Sequence, residues 1–420
     1  MGLRDNWIFS VDDHIVEPVH LWEKWLPSKL KDKGPRYVRD DDGEGWQYAG
    51  QRVPYSTLVA AAGKDSDELT PFPITMDEMR PGCYEPDARV ADMNRNRVIT
   101  STPFPTFCGM FGDRFYTLGD LDVGKECIRA YNDFLLQEWS AAHPGRFCPI
   151  MLVPFWDPEA SAKEIERCIP LGAKAIAFGQ NPTKILREGA APLPSIHTRT
   201  DFWDPIFAAA NAADLPFCIH IASTSRPMNT SNDAPVHVAG CISRVVDPML
   251  TTWDWLFSGR FQQFPNLRIL LSEGGVSWIP SALNIADYQV WRHGDHLKKF
   301  GDYDVTQFGS FDLARKSGAQ TRSSIIEWKE GAMPSDVFRE HIFGCYFHDE
   351  NVVDTIDKIG ADNVMIEVDF PHGDSTWPNT LSLAEQTLSG YSEEIQKKVM
   401  YGNACRVFRM EPPAPPVTVQ

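Results

Sequence analysis

Acids and imidazoles fall at the ends of short apolar segments in this 420-residue chain. The first segment, WIFSVDDHIVEP, carries Asp12, His14 and Glu17. Residues two apart in extended backbone face the same side, so Asp12 and His14 share a face. FCIHIAS carries His220, ILLSEGG carries Glu273, FGCYFHDE carries His348, and VMIEVDFPHG carries Asp369 and His372. Carboxylate oxygens and imidazole nitrogens are the ligands that zinc, manganese and iron(II) favour. Burying several of them is costly without a cation to compensate. A lone His in an apolar strand is often a hydrogen-bonded core residue, and His348 alone fits that description equally well. Taken together, Asp12, His14, His220 and Asp369 predict a metal centre. Glu17 and His372 are the expected partners that orient its ligands.

The elements that must position these groups are legible as eight apolar runs. They are Trp7–Val11, Val98–Thr102, Phe147–Pro154, Ala173–Phe178, Phe217–Ala222, Leu267–Ser272, Ile342–Phe347 and Val364–Val368. Their lack of clean alternation fits strands buried on both faces of a parallel sheet. Helical patterns separate them, over Asp122–His143, Glu159–Leu171, Phe202–Ala213, Pro248–Phe264 and Ser277–Lys299. Eight strand–helix units predict an α/β fold of the (β/α)8 TIM-barrel type, whose strand ends open onto one face. A single domain over residues 1–412 is expected. Three stretches break the repeat: 28–80, read as an inserted small β-lobe, and the polar insertions 223–242 and 298–340. The proline-rich residues 413–420 form a strap or a frayed end.

Composition narrows the function. The formal charge of −17 argues against a nucleic-acid or acidic lipid surface. Nine scattered cysteines with no C-x-x-C pair read as reduced thiols of a cytoplasmic protein. No secretory leader or membrane-length apolar run is evident. The partner is expected to be a small molecule. Phe104, Phe107, Phe111, Phe155 and Trp156 follow the second and third strands and are candidates to line an apolar pocket, or else to pack loops. Arg226 and His237, in the polar loop after the fifth strand, are candidates for a substrate carboxylate.

The order of D-x-H-x-x-E-P at Asp12–Pro18, FPNLRILLSEGG at 264–275, DFPH at 369–372 and GNACRVF at 402–408 resembles the decarboxylase-like branch of the amidohydrolase superfamily over nearly the whole chain. The resemblance implies a metal held by Asp12, His14, His220 and Asp369. It also implies a possible homodimer. Many members carry His in the sixth-strand slot, where this chain has Glu273. With Glu273 and His348 added, the set suits two divalent ions about 3.5–4 Å apart. The fourth strand offers Gln180 and Asn181, not the bridging Lys of related binuclear hydrolases.

Three functions follow. The first is hydrolysis or non-oxidative decarboxylation of a carbonyl- or carboxylate-bearing molecule through a metal-activated water. Asp369 would serve as ligand and base, and Glu273, His348 or His372 as proton relays. The second is oxygen activation at a non-haem di-iron centre bridged by Glu273, as in a smaller monooxygenase group on the same fold. One ion (zinc, manganese or iron) would favour the first, and two irons the second. The third is an inactive binding barrel, which predicts missing ligands.

Overall fold

The computed structural model describes residues 7–40, 43–198, 200–224, 229–300 and 331–415, with backbone alone for 294–300. Its strands are β1 (Ile8–Ile15), β2 (Arg36–Asp40), β3 (Gly43–Tyr48), β4 (Gln51–Pro54), β5 (Val98–Pro105), β6 (Ile150–Met151), β7 (Ala175–Ala177), β8 (Phe217–His220), β9 (Ile269–Ser272), β10 (Ile342–Tyr346) and β11 (Val364–Ile366). Eight of them are parallel and run in ring order β1, β5, β6, β7, β8, β9, β10, β11. They form two ladders, β1–β5 and β6 through β11. A parallel bridge between Ser101 and Phe147 joins the ladders on one side. On the other side, Asp369 N–H donates to Asp12 O at 2.9 Å and Val368 N–H to Ser10 Oγ at 2.9 Å. The barrel is therefore stitched at two seams, without one continuous ladder. Its strands are buried along their length, as their apolar runs require.

Two strands depart from the expected bounds for local reasons. β1 continues to Ile15 because β5 pairs with it as far as Pro105, so Asp12 and His14 lie within the strand. Between Phe147 and Pro154 only Ile150–Met151 joins the ladder. Pro149 and Pro154 bracket that pair and have no N–H to donate. The helix expected over Pro248–Phe264 is two, Asp247–Leu256 and Arg260–Gln263, parted at Gly259 with φ +75°. That positive φ suits glycine and breaks the helical run. The helix expected over Asp122–His143 holds as Leu121–Phe134, widening into a π turn at Leu135–Trp139.

The excursion after β1 contains an antiparallel sheet, β2–β3–β4. So small a sheet needs an anchor on the barrel. Trp46 supplies it, fully buried and edge-on to Trp22, with Phe107 beside it. The 223–242 stretch ends in the helix Val236–Cys241, with 225–228 outside the described residues. Of the 298–340 stretch, 301–330 lie outside the described residues, and Pro334–His341 is helical. At the tail, Pro413 lies against Gly145, where an added Cβ would meet it at 3.0 Å. All nine cysteines are unpaired. Among the described residues no helix is long and apolar enough to cross a membrane.

Candidate active site and metal centre

The ends of β1, β8, β9 and β11 bring six of the expected residues together. His14 Nε2 lies 3.2 Å from His220 Nε2, 3.2 Å from Asp369 Oδ1 and 3.6 Å from Asp12 Oδ1. His220 Nε2 is 3.6 Å from Asp12 Oδ2 and 3.3 Å from Glu273 Oε2. His372 stacks on His14 with ring centroids 3.6 Å apart, and its Nδ1 lies 2.9 Å from Asp369 Oδ1. Phe104 packs against both imidazoles, 5.9 Å from His14 and 5.2 Å from His220. This aromatic wall fixes the rings instead of lining an open pocket.

The backbone at two of these positions is strained. Glu273 and Asp369 both have φ +58°, the left-handed region that costs a side-chain-bearing residue about 1–3 kcal/mol. The surroundings hold them there. Glu273 N–H donates to Glu367 Oε2 at 3.0 Å, and Asp369 N–H donates to Asp12 O. The turn thus directs each carboxylate back over the barrel mouth.

A cation fits this donor set. His220 Nδ1–H donates to the Ile221 carbonyl at 2.7 Å, which leaves Nε2 as a lone pair aimed at the cluster. Asp12 Oδ1 and Oδ2, Asp369 Oδ2 and Glu367 Oε1 are buried without a hydrogen-bond partner. Asp12, His14 and His220 offer ligand atoms within 4.8 Å of one another, as do His14, Asp369 and His372. Protonation shifts tell the same story. Burial, then Glu367, Asp369 and Glu273, push Asp12 well above the ordinary carboxylate range. Burial, reinforced by Asp369, raises Glu273 to about 8. Burial, reinforced by Glu273 and Asp369, raises Glu367 to about 8. Burial lowers His220 to about 4. For Asp369 burial pulls upward, but His372 and His14 outweigh it and hold the carboxyl below its usual range. Four carboxylates crowded out of water are a site for positive charge, which a divalent ion would supply.

Beside the cluster opens a cavity of about 840 Å³, with Glu273 and Glu367 in its wall. Trp278, Phe347, Trp377 and Leu383 give it apolar sides, and Arg244 and Asp374 stand at its rim.

Several expected residues stand elsewhere. His348 is exposed on the cavity rim and is not among the buried donors, because β10 ends at Tyr346 and the chain turns outward. His237 is exposed on the helix Val236–Cys241. Arg226 lies outside the described residues. Phe107 is buried among Trp22, Trp46 and Phe115, where it joins lobe to barrel. Trp156 lines a separate, open cavity beside Asp120, Lys125 and Arg187, and Phe111 and Phe155 pack on each other. Glu17 orients no ligand: it accepts the N–H groups of Thr106, Phe107 and Cys108 at 3.1, 2.7 and 3.1 Å. It therefore pins the loop after β5. Two residues that join the site were not foreseen. Glu367 sits two before Asp369 in VMIEVDF, and that spacing on an extended run was its signal. Arg244, in CISRVV, has no sequence signal apart from its charge.

The family model described as Amidohydrolase matches residues 19–410. The chain belongs to the amidohydrolase family and is an enzyme of that type. It is 25% identical over 317 residues to a gamma-resorcylate decarboxylase of Polaromonas sp., covering 70% of this chain and 79% of that one. In fold it matches an amidohydrolase from Mycobacterium avium subsp. paratuberculosis K-10 (TM-score 0.70, 18% identity, 97% of this chain and 99% of that one). It also matches a dihydroxybenzoic acid decarboxylase from Polaromonas sp. JS666 with bound manganese and the inhibitor 2-nitroresorcinol (TM-score 0.57, 19% identity, 96% and 97%).

Proposed function

We propose that the protein is a metal-dependent carboxy-lyase that removes a carboxylate from a small, apolar-bodied molecule without an oxidant. The observation that carries this reading is the convergence of Asp12, His14, His220 and Asp369, with both Asp12 oxygens and Asp369 Oδ2 left without hydrogen-bond partners, beside a cavity with aromatic and aliphatic walls. The decarboxylase relative described above supports it. The overall change is R–CO2⁻ + H⁺ → R–H + CO2. The carbon–carbon bond breaks, its electron pair stays on R, and a proton is delivered to that carbon.

Asp12, His14, His220 and Asp369 would hold the divalent ion. When bound, that ion polarises an oxygen of the substrate and offsets its charge. His372 Nδ1 stands 2.9 Å from Asp369 Oδ1, and this pair would hold the proton for delivery to the carbon. Burial of Phe104 against both imidazoles keeps water off their inner faces. The apolar cavity walls favour a flat hydrocarbon body and leave room for one of aromatic size.

Hydrolysis would use the same donors, with water as the second reactant. The oxygenase alternative finds no support in the family match or the relatives named above, and its second ion would lose His348, which is exposed. The test is to supply manganese-loaded protein with 2,6-dihydroxybenzoate, 5-carboxyvanillate and a panel of other aryl carboxylates. Released carbon dioxide, lost carboxylate and dissolved oxygen are followed together. The expected result is carbon dioxide formed one for one from a member of the panel with no oxygen consumed. Oxygen uptake, or ester or amide cleavage with every carboxylate inert, would overturn it.

A further inference from the structure

Arg244 is the one arginine or lysine among the described residues that line the large cavity. Carboxylates surround it: Glu273, Asp349, Glu367 and Asp374 line the same space. It lies in the π turn Ile242–Val246, between the helices Val236–Cys241 and Asp247–Leu256. Such turns are rare and recur at functional sites. The Arg244 side chain lines the cavity, with its guanidinium 5.4 Å from the Phe347 ring.

Its contacts are incomplete. Among the described residues Nη2 alone makes hydrogen bonds, one to Glu273 Oε1 at 3.3 Å and one, short, to Asp374 Oδ2. Neither carboxylate engages the guanidinium through two parallel N–H bonds, so Nη1 and Nε have no acceptor among the described residues. The Arg244 side chain is 39% exposed and that of Asp374 60%. An exposed ion pair of this kind contributes little and is easily exchanged. Glu273, by contrast, is nearly buried, with its other oxygen 3.3 Å from His220 Nε2. Arg244 thus stands one carboxylate away from the metal donors and holds a replaceable partner on its outer side.

We infer that Arg244 is the specificity-determining residue that captures a carboxylate of the incoming substrate, with Asp374 occupying its place until the substrate arrives. The inference rests on the carboxy-lyase reading for the kind of substrate, and on the cavity geometry for the residue. An aromatic carboxylate fits this corner, because the guanidinium meets the anion while Phe347, Trp278 and Trp377 meet the ring. Asp374 keeps the arginine poised over the cavity, and Glu273 keeps it close to the reacting end.

The test uses the metal-loaded full chain and two probes of the same shape, benzoate and neutral benzamide, with affinities measured by calorimetry. The intact protein is expected to prefer benzoate. Arg244→Met is expected to weaken benzoate by about tenfold to a hundredfold, the usual loss for a hydrogen bond to a charged group, and to leave benzamide within twofold. Arg244→Lys keeps the charge without the fork and is expected to fall between. Asp374→Asn removes the competitor and is expected to tighten benzoate severalfold. An Arg244→Met protein that keeps the full preference for benzoate would overturn the inference. So would an Asp374→Asn protein that binds benzoate more weakly. With a turned-over aryl carboxylate, Arg244→Met is expected to raise KM far more than it lowers kcat; the reverse split would make Arg244 a brace for Glu273 and overturn the assignment. The two readings fail separately. Arg244-dependent benzoate binding without carbon dioxide release removes the carboxy-lyase proposal alone, and carbon dioxide release with Arg244-independent binding removes this inference alone.

Discussion

The floor of the site and its rim are built from opposite materials. On the floor, Asp12, His14, Glu367 and Asp369 are fully buried, set on or just past strands, and several of their polar atoms have no protein partner. At the rim, Arg244, Asp374 and His348 are solvated side chains on turns, and Arg244 already has partners that can be exchanged. The floor tolerates crowded carboxylates and left-handed backbone at Glu273 and Asp369 because the barrel over-determines them. The rim has no such frame. A rigid, electron-rich floor suits an ion that never changes, and an adaptable rim suits a substrate that comes and goes.

The contrast breaks most sharply at the floor. Replacing His220 with Ala or Asp369 with Asn is expected to lower turnover by about a thousandfold, the upper range for loss of a preorganised electrostatic group. Steady-state assay and elemental analysis of the same preparations check this, and a variant that keeps both metal and rate would contradict it. Metal removal gives the next effect. Stripped protein should gain about 2.7 kcal/mol when manganese reaches a hundredfold excess over its Kd. Asp12→Asn should gain far less, yet unfold at higher temperature than the intact chain when both are stripped, since it no longer buries an unpaired acid. Thermal melts with and without metal decide it.

Glu367 sharpens the comparison one layer down. It accepts the Glu273 N–H and, at 2.6 Å, the Cys345 thiol. Glu367→Ala strands both donors and is expected to cost about 1–3 kcal/mol in a denaturant titration. The smallest effect lies far from the site, in the β-lobe. Burial pulls Glu44 upward, but N–H donation from Met76, hydrogen bonding from Tyr37 and the Arg39 charge outweigh it and lower its pKa. Stability from a lowered carboxyl is present above its unfolded value near 4.5 and is lost as pH falls through the folded one. Below pH 4.5 the intact protein should therefore lose stability that Glu44→Gln lacks already at neutral pH, a difference of about 1 kcal/mol.

Much of the floor was legible because chemistry and strand ends coincide there. Asp12, His14, His220 and Asp369 stand out as polar residues in apolar runs, and a parallel barrel has one place to put them. His348 shares that pattern, but the sequence does not reveal that β10 stops at Tyr346 and turns its next residues outward. Glu367 shares it too, and was masked by the more conspicuous Asp369 two residues later. The rim was far less legible. Arg226 and His237 looked suitable because they lie in a polar loop after β8, yet His237 is exposed and Arg244, further along the same connection, reaches the cavity. A loop's charges carry no period to say which one points inward. The aromatic residues misled for a related reason: Phe107 and Trp156 follow strands, but packing against the lobe and the outer helices takes them away from the mouth.

The most direct test is a crystal structure of protein grown with manganese, with anomalous scattering used to locate the ion. An anomalous peak bonded to Asp12, His14, His220 and Asp369, and lost in the His220→Ala protein, is the expected result. A protein that takes up no manganese, zinc or iron, or that holds its ion away from those four side chains, would contradict it.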